Sequence, residues 1–180
     1  MKETKKLTIG AMMIAIGVAF MALGAYVEAL DLTVAALLSL VVAFVCIELG
    51  SPYIWIVWLG TSLLGAVFFT GSFVWITYFL IFGLYPILKG LIERLKLKWL
   101  WILVKLAVFN VMLPLLMLAS QYIIGIPLFA LEGVFKDNVF VLIGLYLLCN
   151  VAFFLYDVFM TVMIRAYLER FRPRFSQFLK

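Results

Sequence analysis

The chain has 180 residues, of which 68% are hydrophobic and 13% are charged, and its mean hydropathy is +1.24. Average globular chains are about 45–50% apolar and about 25% charged, so this composition excludes a water-soluble domain and predicts a single integral membrane domain over residues 1–180. The formal net charge of +5 would permit nucleic acid binding, but the basic residues occur where they orient membrane helices, and we expect no nucleic acid partner.

Six apolar segments are candidates for membrane-spanning helices, since crossing a hydrocarbon core of ~30 Å takes roughly 20 helical residues. The second and third segments are short and are separated only by Gly50-Ser51-Pro52, a turn signal. We therefore predict an all-α bundle of six transmembrane helices, followed by a basic cytoplasmic tail at 165–180. The approximate helix ranges are 7–27, 32–49, 52–69, 73–91, 99–124 and 138–164.

The positions of lysine and arginine predict that both ends of the chain are cytoplasmic. Basic residues cluster before the first segment, around the junction after the fourth and behind the sixth, and only Lys136 is expected outside. Cytoplasmic loops of membrane proteins carry an excess of Lys and Arg, so this asymmetry sets the orientation. We expect a multi-pass protein of the cell membrane, surrounded by lipid.

Small residues recur along the first segment. Three alanines follow one another at intervals of four and therefore share one helix face, and three glycines are expected on or beside the same strip. They are Ala11, Ala15 and Ala19, here called the alanine row, and Gly10, Gly17 and Gly24. In lipid, such rows let another helix approach closely. Two interpretations stay open: the row packs within the chain, or it docks a separate protein.

Two later segments contain a proline. Pro114 removes one backbone donor and clashes with the carbonyl of Asn110, so a kink is expected in the fifth segment. Pro86, preceded by Gly83, should bend the fourth segment as well. Broken helices around a polar midline are typical of transporter binding sites, although membrane proteins without ligands contain them too.

The longest stretch that does not span runs from Gly125 to Asp137 and is expected on the outer side. It is too apolar for a solvated loop, and Pro127 suits the first turn of a short interfacial or re-entrant helix. This helix either caps a cavity that opens outward or lies among the lipid headgroups.

Ionisable side chains inside the apolar segments need a physical reason, because a charge at the helix centre costs at least ~2.5–3.5 kcal/mol. Asn110 and Asn150 are expected near the middle of the membrane, and Asp157, Lys105 and Glu48 in its inner third. We expect Lys105 to form an ion pair with Asp157 or with Glu48. The pair is either structural or part of a substrate or ion site. Lysines at this depth can also snorkel to the interface without a partner.

The sequence offers no recognisable catalytic machinery, and we do not expect an enzyme. It contains no histidine, and its two cysteines, Cys46 and Cys149, lie inside apolar segments, so we expect no metal site and no cofactor. We find no nucleophile with an adjacent base and no glycine-rich phosphate loop.

The residues Lys5-Lys6-Leu7, followed by the alanine row, resemble the first helix of the substrate-binding S components of energy-coupling factor transporters. In that family a short basic start leads to an alanine row that docks the shared transmembrane coupling subunit. The size, the six helices and the cytoplasmic termini predicted for this chain are similar to that family as well.

The resemblance implies a membrane subunit that binds a small molecule such as a vitamin and works with a coupling subunit and ATPases supplied in trans. It places the ligand toward the outer side, under the loop after helix one and among helices four to six. The implied gate residues are Glu28 and Asp31, and the implied ligand contacts are Tyr122, Glu132, Tyr146 and Asn150. Asn110 and Gln121 add polar groups on the proline face of the fifth segment.

The outer half of the chain is almost wholly aliphatic, whereas S components usually carry several polar or aromatic ligand contacts there. This departure fits a very apolar ligand. It also fits an S-component-like scaffold without a transport role, as in rod-shape and sporulation-associated membrane proteins of similar size. A third interpretation is an autonomous carrier with Asp157, Asn150 and Lys105 as an ion relay.

Overall fold

A computed structural model describes residues 3–125 and 139–173, and the backbone of these residues is helical without any strand. The prediction of an all-helical protein is confirmed. We number the helices in chain order as α1 Glu3–Tyr26, α2 Asp31–Glu48, α3 Tyr53–Phe68, α4 Phe73–Ile92, α5 Lys98–Ile124 and α6 Val139–Phe171.

Five of these helices are long and apolar enough to cross a membrane, and α3, with 16 residues, is shorter. Large apolar side chains are exposed on every helix, for example Leu63, Val111 and Phe140. In α6 only 6% of the most apolar stretch is buried. Soluble monomers rarely expose contiguous apolar surfaces of this extent, so the surface is typical of a membrane protein.

Two helix ends differ from the prediction. α1 begins at Glu3 instead of residue 7, and the acidic side chain suits the positive end of the helix dipole. α6 continues to Phe171, because Tyr167 and Arg172 both hydrogen-bond to Glu48 of α2 and hold its last turns against that helix. The first residues of the predicted tail are therefore helical. The predicted outer segment at 126–137 and the tail after Pro173 lie outside the described residues.

The turn at Gly50-Ser51-Pro52 separates α2 from α3 where the sequence predicts it. Gly50 has a φ of +70°, and its N–H donates to the carbonyl of Val45 at 3.1 Å. The N–H of Leu49 donates to the same carbonyl at 2.9 Å, so the two bonds together close the end of α2, and glycine adopts the left-handed conformation without steric cost.

α4 is interrupted in its middle, at the position that Gly83 and Pro86 predict. A short helix, Phe73–Thr77, widens into a π-turn, Tyr78–Phe82, and the chain becomes α-helical again at Tyr85–Ile92. Pro86 lies in the first turn of that second piece, where a missing N–H costs no hydrogen bond. α5, by contrast, remains helical through Pro114.

α1 packs closely on α3 through glycines of both helices. A Cβ added to Gly17 would lie 2.8 Å from Cγ2 of Thr61, and one added to Gly60 would lie 2.7 Å from Cδ1 of Ile14. Gly10, Gly17 and Gly24 are all buried. The expectation that they share the strip of the alanine row is therefore wrong, since they form the opposite, core-facing side of α1.

Successive helices run in alternating directions, and this gathers the described lysines and arginines at one end of the bundle. The start of α1 meets the start of α3 through Glu3 and Tyr53, and the end of α2 meets the end of α6 through Glu48 and Arg172. Every lysine and arginine that the structure describes lies in this half of its helix or in the adjoining loop. We call it the basic end.

Candidate functional site

The alanine row forms an exposed strip along α1. All three alanines are exposed, and larger exposed side chains, such as Met12 and Phe20, flank them. Within residues 3–125 and 139–173, no helix covers the strip, and α1 makes its contacts through the glycine side instead. The row therefore leaves a shallow surface on which the backbone of another helix can approach closely.

A cavity of about 230 Å³, here called the apolar cavity, lies between α4, α5 and α6. Leu32 at the start of α2 and Phe73 at the start of α4 lie at the side away from the basic end. The Thr77 hydroxyl in its wall donates to the carbonyls of Phe73 and Val74, so it is already hydrogen-bonded. The lining consists of Leu32, Phe73, Thr77, Ile81, Phe82, Phe109, Leu113, Leu116, Cys149, Ala152, Phe153 and Tyr156.

Stacked and edge-on aromatic rings close the apolar cavity toward the basic end. The ring centroids of Phe109 and Phe153 are 4.3 Å apart, and those of Tyr85 and Phe153 are 4.8 Å apart. The ring of Tyr156 meets that of Phe82 edge-on at 5.0 Å. The fully buried Tyr85 then donates its hydroxyl hydrogen to Asp157 at 2.5 Å. It thereby joins the aromatic layer to the charged groups behind it.

Four charged side chains form a neutral ion cluster: Lys89 of α4, Glu93 directly after α4, Lys105 of α5 and Asp157 of α6. Lys105 donates to both oxygens of Asp157 at 3.0 Å and to Glu93 at 2.8 Å. Lys89 donates to Asp157, to Glu93 at 2.8 Å and to the hydroxyl of Thr161 at 2.8 Å. Each ammonium group thus contacts both carboxylates.

The ion cluster is buried at one side and reaches solvent at the other. The side chains of Lys89 and Asp157 are 3% and 14% exposed, whereas that of Glu93 is 34% exposed. Partial burial acts to raise the pKa of Glu93, but the hydrogen bonds from Lys105 and Lys89 outweigh it and bring the pKa below its usual value. The cluster joins three helices without leaving a net charge in the bundle.

The structure shows which of the expected ion pairs forms. Lys105 contacts Asp157, whereas Glu48 accepts hydrogen bonds from Tyr167 at 3.2 Å and from Arg172 at 3.1 Å. Neither Lys89 nor Lys105 snorkels to the surface, since both are buried. Sequence reasoning did not include Lys89 and Glu93 in the cluster, although their spacing of four residues is that of a helical ion pair.

A second polar group lies between α5 and α6. The side-chain amide of Asn110 donates to Asn150 at 3.0 Å, and Asn150 donates back at 3.3 Å. The hydroxyl of Tyr146 donates to the same oxygen of Asn110. These groups satisfy one another, so they stabilise the contact between the two helices and do not aim unpaired donors at the apolar cavity.

The other expected ligand residues are spread over the surface of the bundle. Asp31 lines a separate cavity of about 430 Å³, together with Tyr26 and residues of the loop between α3 and α4. Gln121 and Tyr122 are exposed near the end of α5. The backbone of Glu28 lies in the turn before α2, while its side chain, like all of Glu132, falls outside the described part of the chain. The ligand roles of these residues stay predictions.

In the described ranges, 3–125 and 139–173, no three side chains of His, Cys, Asp or Glu are grouped so that they could hold a metal ion. Comparison of the chain with protein-family models, with curated proteins and with solved structures finds no match. A functional conclusion therefore depends on the surfaces and cavities described above.

Proposed function

We propose that the chain is the substrate-binding membrane subunit of an uptake transporter of the energy-coupling factor type. It binds a small molecule and relies on a coupling subunit and ATPases supplied by other chains. The exposed alanine row carries this proposal, because it offers a smooth helix face on a helix that glycine contacts already fix in place.

The physical reason for a partner lies in how helices associate in lipid. Lipid tails are as apolar as leucine, so no hydrophobic force drives helices together, and close van der Waals packing decides which faces associate. Docking requires that α1 keep a fixed position, and contacts with Tyr53 of α3 hold its first turn. At its start the Tyr53 hydroxyl donates to Glu3, and the Lys6 ammonium lies 5.6 Å from the centre of the Tyr53 ring.

The apolar cavity supplies a place for the ligand. It lies among α4, α5 and α6 on the side away from the basic end, which agrees with the ligand position that the resemblance to S components implies. The ion-relay alternative gains less support, because Asn150 pairs with Asn110 and not with Asp157 or Lys105.

The proposed topology has six membrane spans, with the basic end and both termini on the cytoplasmic side. The positions of the described lysines and arginines support it through the positive-inside rule. The 16 residues of α3 span at most about 24 Å, so this helix would require local thinning of the bilayer.

Co-expression with an energy-coupling factor module (coupling subunit plus ATPases) tests the proposal. We expect the wild-type chain to co-purify with the module and the Ala15→Leu variant to lose at least about tenfold in recovered complex, because the larger side chain separates the helices. Ala107→Leu is the matched control, since Ala107 is an exposed alanine on α5.

Normal assembly of a folded Ala15→Leu variant would overturn the proposal. Loss of a different membrane or cytoskeletal partner through the same substitution, without any interaction with the module, would support the scaffold alternative. Gel filtration and the unfolding temperature in detergent show whether each variant is folded.

A further inference from the structure

We propose that the apolar cavity binds an uncharged, largely hydrocarbon molecule of about the size of one substituted ring. This inference depends on the proposed function, since that function requires a ligand, and it names the chemical class. The class follows from the volume of the cavity, from its lining and from the way its inner end is closed.

The volume sets the size of the ligand. Engineered apolar cavities of about 150 Å³ bind benzene, and pockets for drug-sized ligands measure about 300–1,000 Å³. At about 230 Å³, the apolar cavity lies between these limits. A single ring with a short substituent, or a branched chain of similar bulk, fits it.

The lining sets the polarity of the ligand. Aromatic rings from α4, α5 and α6 form much of the wall. The Thr77 hydroxyl is already bonded to its own helix, and the one other hydroxyl of the lining, on Tyr156, is buried. The charged side chains behind the inner end of the apolar cavity belong to the ion cluster, where they neutralise one another beyond the Tyr85 ring. A charged ligand would lose its hydration without gaining a counter-charge, which is costly in an apolar site.

Cys149 lines the apolar cavity and provides a reporter that the chain already contains. The other cysteine, Cys46, lies on α2 and is not part of the lining, with its sulfur near Gly90. In a Cys46→Ser variant, reaction with N-ethylmaleimide therefore reports access to the apolar cavity. In a Cys149→Ser variant, the same reaction reports unspecific effects of the added compound on the protein and its micelle.

Toluene is the uncharged probe, and benzoate is its charged counterpart with the same ring. In the Cys46→Ser variant we expect toluene at four times its Kd to slow labelling about fivefold, because only empty cavities expose the thiol. We expect benzoate to leave the rate of labelling unchanged. Neither compound should affect labelling of Cys46 in the Cys149→Ser variant.

A filled cavity gives an independent measurement. Ala152→Phe places a ring in the lining, whereas Val151→Phe changes an exposed neighbour on the same helix. In the Cys46→Ser background, protection by toluene should disappear in Ala152→Phe and persist in Val151→Phe. If Ala152→Phe does not fold, the comparison of toluene with benzoate in the Cys46→Ser variant still tests whether the apolar cavity prefers an uncharged ligand.

Absence of protection by toluene, or equal protection by benzoate, would overturn the inference. So would a co-purified phospholipid, seen by native mass spectrometry, that keeps Cys149 unreactive and is not displaced by toluene. The labelling assay needs no coupling subunit. Its failure is therefore distinguishable from a failure of α1 to dock the energy-coupling factor module.

Discussion

Between α1 and α3 the closest contacts are made by glycines against side chains of the facing helix, whereas α4, α5 and α6 meet through aromatic rings and through lysines, carboxylates and amides. A Cβ on Gly17 or Gly60 would collide with the neighbouring helix. A Cβ on Gly144 of α6 would meet nothing within 4 Å. α6 is attached instead at separate points along its length, by the Asn110–Asn150 pair, by the ring of Phe153 against Phe109 and Tyr85, by the ion cluster and by Glu48.

This difference in packing assigns different tasks to the two regions. Close glycine packing fixes the position of α1 and thus keeps its outer face, with the alanine row, in one geometry. Polar and aromatic contacts at a few levels leave space between α4, α5 and α6, and the apolar cavity occupies that space. The rigid region suits docking of a partner, and the more open region suits binding of a ligand.

Removal of the Asp157 carboxylate should lower the stability of the folded protein more than the other substitutions, because it breaks the ion cluster that joins α4, α5 and α6. Asp157→Asn leaves Lys89 and Lys105 with only Glu93 as a counter-charge. Breaking one side of a buried ion pair typically costs about 3–5 kcal/mol. We expect a clearly lower unfolding temperature in detergent, measured by circular dichroism.

Glu169→Gln is the control for the loss of one negative charge from α6, since Glu169 is exposed, and it should change the unfolding temperature little. Combining Asp157→Asn with Lys105→Met removes the uncompensated ammonium and should restore part of the stability. An Asp157→Asn variant as stable as wild type would mean that the ion cluster does not hold this region together.

Glycine-to-alanine substitutions should lower the stability of the protein when made in α1 and raise it when made in α6. In Gly17→Ala the new methyl group meets the buried, β-branched Thr61, and such overpacking costs about 1–3 kcal/mol. In Gly144→Ala it meets open space, and the gain in helix propensity is up to about 1 kcal/mol. Unfolding temperatures of both variants measure the contrast.

A second substitution tests the assigned contact directly. Thr61→Ala removes the methyl group that lies 2.8 Å from the added Cβ, so Gly17→Ala combined with Thr61→Ala should be more stable than Gly17→Ala alone. Equal effects of Gly17→Ala and Gly144→Ala would contradict the view that α1 is packed more closely than α6.

The helices could be predicted from the sequence because they depend on local signals. Apolar runs of sufficient length mark the helices, Gly50 marks the turn after α2, and Gly83 with Pro86 marks the break in α4. The extension of α6 to Phe171 could not be predicted, since it depends on contacts with Glu48 across the bundle.

The charged and polar contacts could be predicted only in part, for the same reason. Depth along the helices brings Lys105 and Asp157 to one level, but it does not reveal the rotation of α4 that adds Lys89 and Tyr85. Similarly, a spacing of four defines the alanine row, whereas the face of α1 that turns inward depends on matching glycines in α3.

The smallest expected effect on stability is the pH-dependent contribution of Glu93, which lies at the solvent side of the ion cluster. Its pKa is lowered by hydrogen bonds from Lys105 and Lys89, which outweigh the effect of burial. A carboxylate with a lowered pKa in the folded protein stabilises it above the pKa of the unfolded chain, and this contribution is lost as the pH falls through the lowered value. The wild type should therefore lose stability below about pH 5 relative to Glu93→Gln.

The comparison with Glu93→Gln isolates this residue, because Asp157 and the two lysines are present in both proteins. The measurement is the difference between their unfolding temperatures from about pH 7 to about pH 3, and we expect this difference to shrink toward acid. Since the side chain is 34% exposed, solvent screens its charge and the difference should be modest. A difference that stays constant over this range would show that Glu93 is not held as a carboxylate by the lysines, and the ion cluster would then consist of Asp157 with Lys89 and Lys105 alone.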